Sequence, residues 1–341
     1  MKKISSIYCA IVLLGLFSAI YLFGCGSNPT KSTLITPYEG IIYVTCLSDN
    51  SVLVFDGALL LDGLVTPERV ISGDVTSIQL PSDVFVDTSE DKLYVTCGAV
   101  NRLLVFSNAS SANGNVIPSQ IIEGLNTTLD DPAALFRKEG KLYVANRGGN
   151  SILVFSFEAT GDIPPLSTIT SESIHAPNDI YVDSNGSLYV SCNGIAGSSR
   201  EVYVFNNAGS LNGETDPSRV ISSEWLDTGP SSIWVDEETD RLFVSVPLKQ
   251  KVHIFCNASV ISGECDPVYI LRRNGVSPEA IAYWPMGRSI FAVIEDNSST
   301  IAGWDNITAD TPYVNYRLIT VAGHSTFTGI AIDPTRYKRP Q

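Results

Sequence analysis

Short apolar runs, separated by turn residues, recur along this chain with a long period. The clearest ends in Val-Phe or its equivalent: SVLVF closes at Phe55, RLLVF at Phe106, SILVF at Phe155, EVYVF at Phe205, KVHIF at Phe255, and a degenerate TIAGW at Trp304. The period is about fifty residues. A second run precedes each one and carries a central aromatic, at Tyr43, Tyr94, Tyr143, Tyr189, Phe243 and Phe291. A third lies earlier still: PSDVFVD from Pro81, PAALFRK from Pro132, PNDIYVD from Pro177, PSSIWVD from Pro230 and PEAIAYW from Pro278. A fourth follows, as PERVIS, PSQIIE, PSRVIS and PVYILR. Each run alternates or is continuously β-branched, and Gly, Asn, Asp, Ser or Pro bounds it, which predicts strands.

Four short strands per unit predict an all-β fold, a six-bladed β-propeller of four-stranded blades. The first unit starts at its second strand, from Gly40, and has no innermost strand of its own. FTGIAID, at Phe327 to Asp333, matches PNDIYVD in position and pattern. The C-terminal strand is therefore expected to join the first blade and close the ring, which removes the edges of an open array. The Asp residues that recur at the end of this strand (Asp87, Asp183, Asp236, Asp333) read as turn residues. The domain boundaries are 1–24 for a signal peptide, 25–39 for a polar linker, 40–334 for the propeller and 335–341 for a tail.

Charge narrows the partners. The formal net charge is −14 and charged residues make up 17% of the chain, so clustered Lys and Arg for phosphate neutralisation are lacking and nucleic acid is not an expected partner. The N-terminus is a basic MKK followed by an almost entirely apolar run from Ile4 to Phe23, the pattern of an export signal. LFGCGS, at Leu22 to Ser27, resembles the lipobox of bacterial lipoproteins. By that resemblance Cys25 becomes the lipidated first residue, and the protein sits outside the cytoplasm, tethered to a membrane of the cell envelope. The alternative is an uncleaved membrane anchor. Cys256 and Cys265 bracket NASVISGE, and in an oxidising compartment a disulfide between them is expected. Cys46, Cys97 and Cys192 share one register on second strands and read as small buried fillers.

The repeat resembles the NHL and YVTN classes of propeller, through P-x-x-I-x-V-D, LYV and NSILVF, over Gly40 to Asp333. That likeness implies one functional face, built from the loops between second and third strands and from the segments leading into the innermost strands. On the former lie Arg102, Arg147, Arg200, Lys249 and Lys251, candidate ligands for a sugar acid, a carboxylate-bearing glycan or an acidic partner loop. On the latter lie Asp83, Asn178, Asp179, Ser231, Glu279 and Thr328. Asn178-Asp179 is similar to a motif of gluconolactonase-like six-bladed propellers, which implies a Ca²⁺ site through Asp83, Asn178 and Glu279. Those propellers also use an acidic residue where Thr328 stands here. His253 reads as packing. His175 and His324 precede innermost strands of opposite blades, too far apart to share a metal.

Two functions remain open. One is a membrane-tethered binding or scaffold module for an envelope protein or an acidic or saccharide ligand. The other is a metal-dependent, lactonase-like hydrolase or lyase. No organic cofactor is expected, and Ca²⁺ is the candidate metal.

Overall fold

A computed structural model of the chain describes residues 40–194, 200–285, 287–294, 299–307 and 315–335. All of them lie in one compact unit that begins at Pro37. The expected signal peptide and linker, with Cys25, fall outside the described residues. No helix among the described residues is long and apolar enough to cross a membrane.

The third blade shows how one repeat folds. Its strands run Pro132–Lys138, Lys141–Asn146, Ser151–Ser156 and Ser167–Thr170, each antiparallel to the one before. Five further sheets repeat this order. The innermost strands are Phe327–Asp333, Asp83–Asp87, Pro132–Lys138, Pro177–Val182, Ile233–Asp236 and Pro278–Trp284, for blades 1 to 6. Each touches the next, and the last touches the first, so the six sheets form a closed ring. Closure is made by the C-terminal strand, as the pattern predicts: Phe327–Asp333 pairs with Ile41–Cys46, Ile42 opposite Ile332 and Val44 opposite Ile330.

The apolar runs are continuous because both faces of every blade are buried. Ile42, Val44, Leu53 and Phe55 of blade 1 pack with Ala282, Phe291 and Ile301 of blade 6. Their neighbours Tyr43, Val52 and Val54 point the other way, against Val84, Val95 and Phe106 of blade 2. Side chains alternate across a strand, so a strand wedged between two sheets needs apolar residues at every position. The core is accordingly distributed, with one cluster between each pair of adjacent blades.

Two sets of contacts fix the angle between blades. At the outer rim, the connection after the third strand reaches back to the preceding blade and pairs, in parallel, with its outermost strand. The pairs are Ile71 with Gly114, Ile122 with Gly161, Ile169 with Gly213, Ile221 with Gly263 and Ile319 with Gly63. Each of these glycines has a left-handed φ, between 67° and 80°, which other residues adopt only with strain. Arg69, Arg219 and Arg317 add to the joint: each guanidinium donates to two carbonyls of the next blade, such as Ala258 and Ile261 for Arg219.

At the opposite end of the joint, the turn between second and third strands carries Asn50, Asn101, Asn150 or Gln250, again left-handed. Each side-chain oxygen accepts a backbone N–H just ahead of the next blade's innermost strand, from Leu80, Asp131, Ala176 and Gly275. The NRGGN loop of blade 3 is thus a strut, with Asn150 holding the lead into blade 4. The recurring Asp residues cap turns as expected: Asp87 Oδ1 accepts the Ser89 and Glu90 N–H groups, and Asp183 Oδ1 those of Asn185 and Ser187.

The expected disulfide is corrected by the structure. Cys256 and Cys265 are both free thiols. Cys256 ends the third strand of blade 5, opposite Arg241. Gly263–Glu264 is drawn away to pair with blade 4, and the Cys265 N–H follows it to the Ser222 carbonyl at 3.0 Å. The rim joint thus carries Cys265 toward blade 4.

His253 is buried in blade 5, edge-on to Trp225 at 5.9 Å, and neither ring nitrogen has a hydrogen-bond partner. Burial, then the charges of Lys251 and Lys249, push its pKa down to about 4. The unfolded chain takes up a proton near pH 6.5, which the native ring refuses until about pH 4. Stability is consequently lost as pH falls through that window, by up to about 3 kcal/mol. In urea titrations from pH 7 to pH 4, His253→Phe is expected to flatten the decline. Parallel pH slopes for the two proteins would refute this.

Candidate active site at the channel mouth

The lead-in segments converge by construction, since six innermost strands surround one axis. Asp83, Asn178, Asp179, Ser231, Glu279 and Thr328 all line one cavity of about 380 Å³, with Asp131, Arg147 and Ser232. Beneath it the channel narrows to a space of about 40 Å³ bordered by Phe85, Phe136, Tyr181 and Trp234. Their rings follow one another around the wall at 5.1, 4.7 and 5.4 Å. The cavity is polar at the rim and apolar and aromatic at its floor.

A chain of hydrogen bonds runs around the mouth from blade 1 to blade 6. Thr328 Oγ1 donates to the Pro81 carbonyl at 2.8 Å, and Ser82 Oγ to the Pro132 carbonyl at 2.9 Å. The Arg147 guanidinium donates to Asn178 Oδ1 at 3.3 Å, and Asn178 Nδ2 to Ser231 Oγ at 2.9 Å. Ser231 Oγ in turn donates to Glu279 Oε1 at 2.7 Å. Glycine is required where blade 1 meets blade 2: a Cβ on Gly329 would lie 2.6 Å from the Asp83 Cα. The rim is therefore preorganised before any ligand arrives.

Asp83 and Asp179 hold equivalent places in blades 2 and 4, and each carboxylate reaches the next innermost strand. Asp83 Oδ2 accepts from the Leu135 N–H at 3.4 Å. Asp179 Oδ2 accepts from Ser232 Oγ at 2.6 Å and the Ile233 N–H at 2.8 Å, and its Oδ1 accepts from its neighbour Ile180. Both carboxyls face the cavity, yet they sit deep in the ring, so the water they meet is cavity water. Burial pushes Asp179 up to about 6, against the pull of the Ser232, Ile233 and Ile180 hydrogen bonds. Burial and then the negative charge of Asp179 raise Asp83 well above the ordinary carboxylate range.

The basic loop residues do not converge. Arg147 alone lines the cavity, and its guanidinium is held by both oxygens of Asp131, at 2.7 and 3.0 Å. Arg102 pairs with Glu123 at 2.6 Å and borders a separate groove on blades 1 and 2. Arg200 donates to the Asp227 carbonyl at 3.0 Å, in an outer groove of blade 4. Lys249 pairs with Asp227 at 2.7 Å, and Lys249 and Lys251 both lie over Trp225. Local carboxylates and an indole take up these side chains before they reach the axis.

Of the expected calcium ligands, Asp83, Asn178 and Glu279 share the cavity, each already engaged. Asp83, Asp179 and Glu279 do not bring three carboxylates within 4.8 Å of one another. Among the described residues one other group does bring its ligand atoms that close: Cys46, Asp49 and His324. Sequence reasoning missed it, because it weighed His324 against His175 across the ring and not against the strand next door. The available signal was the ring closure itself, which lays the residues before Phe327 beside the loop after Cys46.

The model of a family described as lactonase, with a seven-bladed β-propeller, matches residues 32–259, about two thirds of the chain. The chain belongs to this lactonase family. No curated protein matches it. Among solved structures, one from a nidogen–laminin complex is similar, with 12% identity, a TM-score of 0.59, and coverage of 86% of this chain and 97% of that one. Two candidate 6-phosphogluconolactonases are similar at 14% identity each. The one from Bacteroides uniformis has a TM-score of 0.55 and coverage of 82% of both chains. The one from Bacteroides fragilis has a TM-score of 0.54 and coverage of 85% of both. At such identity the likenesses establish the fold. This lactonase-family ring closes on six sheets where the family description specifies seven.

Proposed function

We propose that the cavity hydrolyses a small, uncharged, polyhydroxylated lactone. The observation that carries this reading is the pair Asp83 and Asp179: two half-buried carboxyls facing one cavity, both raised by desolvation, in a chain of the lactonase family. Environments that push two titratable groups apart assign acid and base roles. Asp179 is ionised above about pH 6 and takes a proton from the water that attacks the lactone carbonyl. Asp83, whose carboxyl is raised well above the ordinary range, gives its proton to the ring oxygen as the C–O bond breaks. Lactone and water become the open hydroxy acid, and the proton gained by Asp179 returns to Asp83 through cavity water.

Charge selects the substrate class. Arg147, the one cation among the described lining residues, is neutralised by Asp131. Asp179 and Glu279 leave the cavity acidic, so a phosphorylated lactone meets repulsion without a counter-charge. Hydroxyl groups find the acceptors and donors of Ser231, Asn178 and Thr328 instead.

The test is hydrolysis of paired sugar lactones, with and without a phosphate, followed by base uptake at constant pH. Turnover of the neutral lactone well above that of its phosphorylated counterpart is expected. Turnover of neither by folded protein would overturn the reading. A second reading, binding without turnover, is favoured by one observation: the Asp179 carboxylate already accepts three hydrogen bonds. Calorimetry with the same lactones would then give saturable heats and no product.

A further inference from the structure

We propose that Cys46, Asp49 and His324 bind a thiophilic divalent cation of the Zn²⁺ class at the seam where the ring closes. Cys46 ends the second strand of blade 1, Asp49 lies in the loop after it, and His324 lies just ahead of the closing strand. One ligand atom from each comes within 4.8 Å of the other two. A thiol, an imidazole and a carboxylate form a donor set that suits Zn²⁺ and related ions; Ca²⁺ takes oxygen alone.

The three side chains are held by a surrounding network, as ligands of a built site are. Cys46 Sγ lies 3.0 Å from the Ser325 carbonyl and 3.3 Å from Asp49 Oδ2. His324 Nδ1 meets the same Asp49 oxygen at 2.5 Å. Ser48 Oγ stands between the loop after Cys46 and the segment before Phe327, 2.7 Å from the Ser325 carbonyl, 3.1 Å from Asp49 Oδ1 and 3.3 Å from Cys46 Sγ. Access is one-sided. Cys46 is buried, whereas the side chains of His324 and Asp49 are 21% and 37% exposed, so an ion enters from solvent and keeps water as its fourth ligand. On binding, the Cys46 thiol loses its proton to solvent and the thiolate takes the metal.

The equivalent cysteine of blade 2 shows that the arrangement is specific to the seam. Cys97 is as buried as Cys46, but Val100 stands three residues on where blade 1 has Asp49.

The ligands come from the two ends of the ring: Asp49 and His324 are 275 residues apart. An ion here bridges the first described loop and the closing segment, and so acts as a clasp. A link across so long a loop restrains the open chain strongly, and a ligand confined to the native state raises the unfolding midpoint by mass action.

The experiment uses the purified full chain with Zn²⁺, Co²⁺ and Ca²⁺. Expected results are binding of one Zn²⁺ per chain, a raised thermal midpoint with Zn²⁺ but not Ca²⁺, and a thiolate-to-Co²⁺ charge-transfer band. Cys46→Ser should abolish that band, and His324→Ala should weaken Zn²⁺ binding by more than about tenfold. His324→Ala lies on a partly exposed segment and leaves the core untouched, so it keeps the test decisive if the cysteine variant misfolds. Unchanged Zn²⁺ affinity in folded His324→Ala, or a Co²⁺ band that survives in Cys46→Ser, would overturn the proposal. So would a midpoint indifferent to Zn²⁺.

Discussion

Asp179→Asn is expected to lower kcat/KM for neutral lactones by about 10²- to 10⁴-fold, the usual contribution of a positioned general base. Asn retains an oxygen that can accept from Ser232 or Ile233, so the blade 4–5 contact survives in part and the variant should fold. The wild-type rate should rise with pH through about 6, because only the ionised Asp179 accepts a proton from water. Asp83→Asn should leave a larger residue of activity, since an amide still donates a hydrogen bond although it cannot deliver a proton. The pair of variants is read together with a pH profile, with near-UV circular dichroism as the control for folding. If Asp179→Asn hydrolysed lactone at the wild-type rate, its carboxylate would be only a brace between blades.

Deleting residues 327–341 is expected to abolish the folded ring. The lost strand buries Phe327, Ile330, Ala331 and Ile332 and leaves Ile41–Cys46 with an unpaired edge. Removing one large buried side chain costs about 2–5 kcal/mol, so losing several exceeds the stability of an ordinary domain, roughly 5–15 kcal/mol. The truncated chain should bind a hydrophobic dye and show no cooperative urea transition. A peptide of residues 321–335 added in trans should restore part of the transition, because strand addition to an exposed edge supplies the missing backbone partners. An unchanged urea midpoint after truncation would show that some other contact holds the ring shut.

The architecture was legible because burial of both blade faces leaves a strong trace: four-residue, almost wholly apolar runs that end at Phe55, Phe106, Phe155, Phe205 and Phe255. The cavity wall was legible for a geometric reason, since Asp83, Asn178 and Glu279 stand where chains must meet an axis. Long side chains were not. Whether Arg102 turns inward or pairs with Glu123, 21 residues on, depends on rotamers and on a local carboxylate that no period announces. Cys256 and Cys265 misled because the rim joint at Gly263 pulls the intervening loop toward blade 4. His324 lay hidden for the opposite reason: its partners are among the most distant in the sequence, and only the closed ring makes them neighbours.

The rim joint has a consequence for how many blades such a chain can carry. Among the described residues, five units bear a tab, the short segment around a left-handed glycine, which fits a slot, the free edge of a neighbour's outermost strand. The tab of one unit fits the slot of the unit before it, wherever in the chain the two fall. Head-to-tail interfaces of this kind set a handedness and a rotation but carry no count; they stop only when the last meets the first. The number of blades is thus not inscribed in any single repeat. A small change in wedge angle, or one duplicated segment, moves the closure by one place, which is how a six-membered ring and a family described by seven can share a single grammar of assembly.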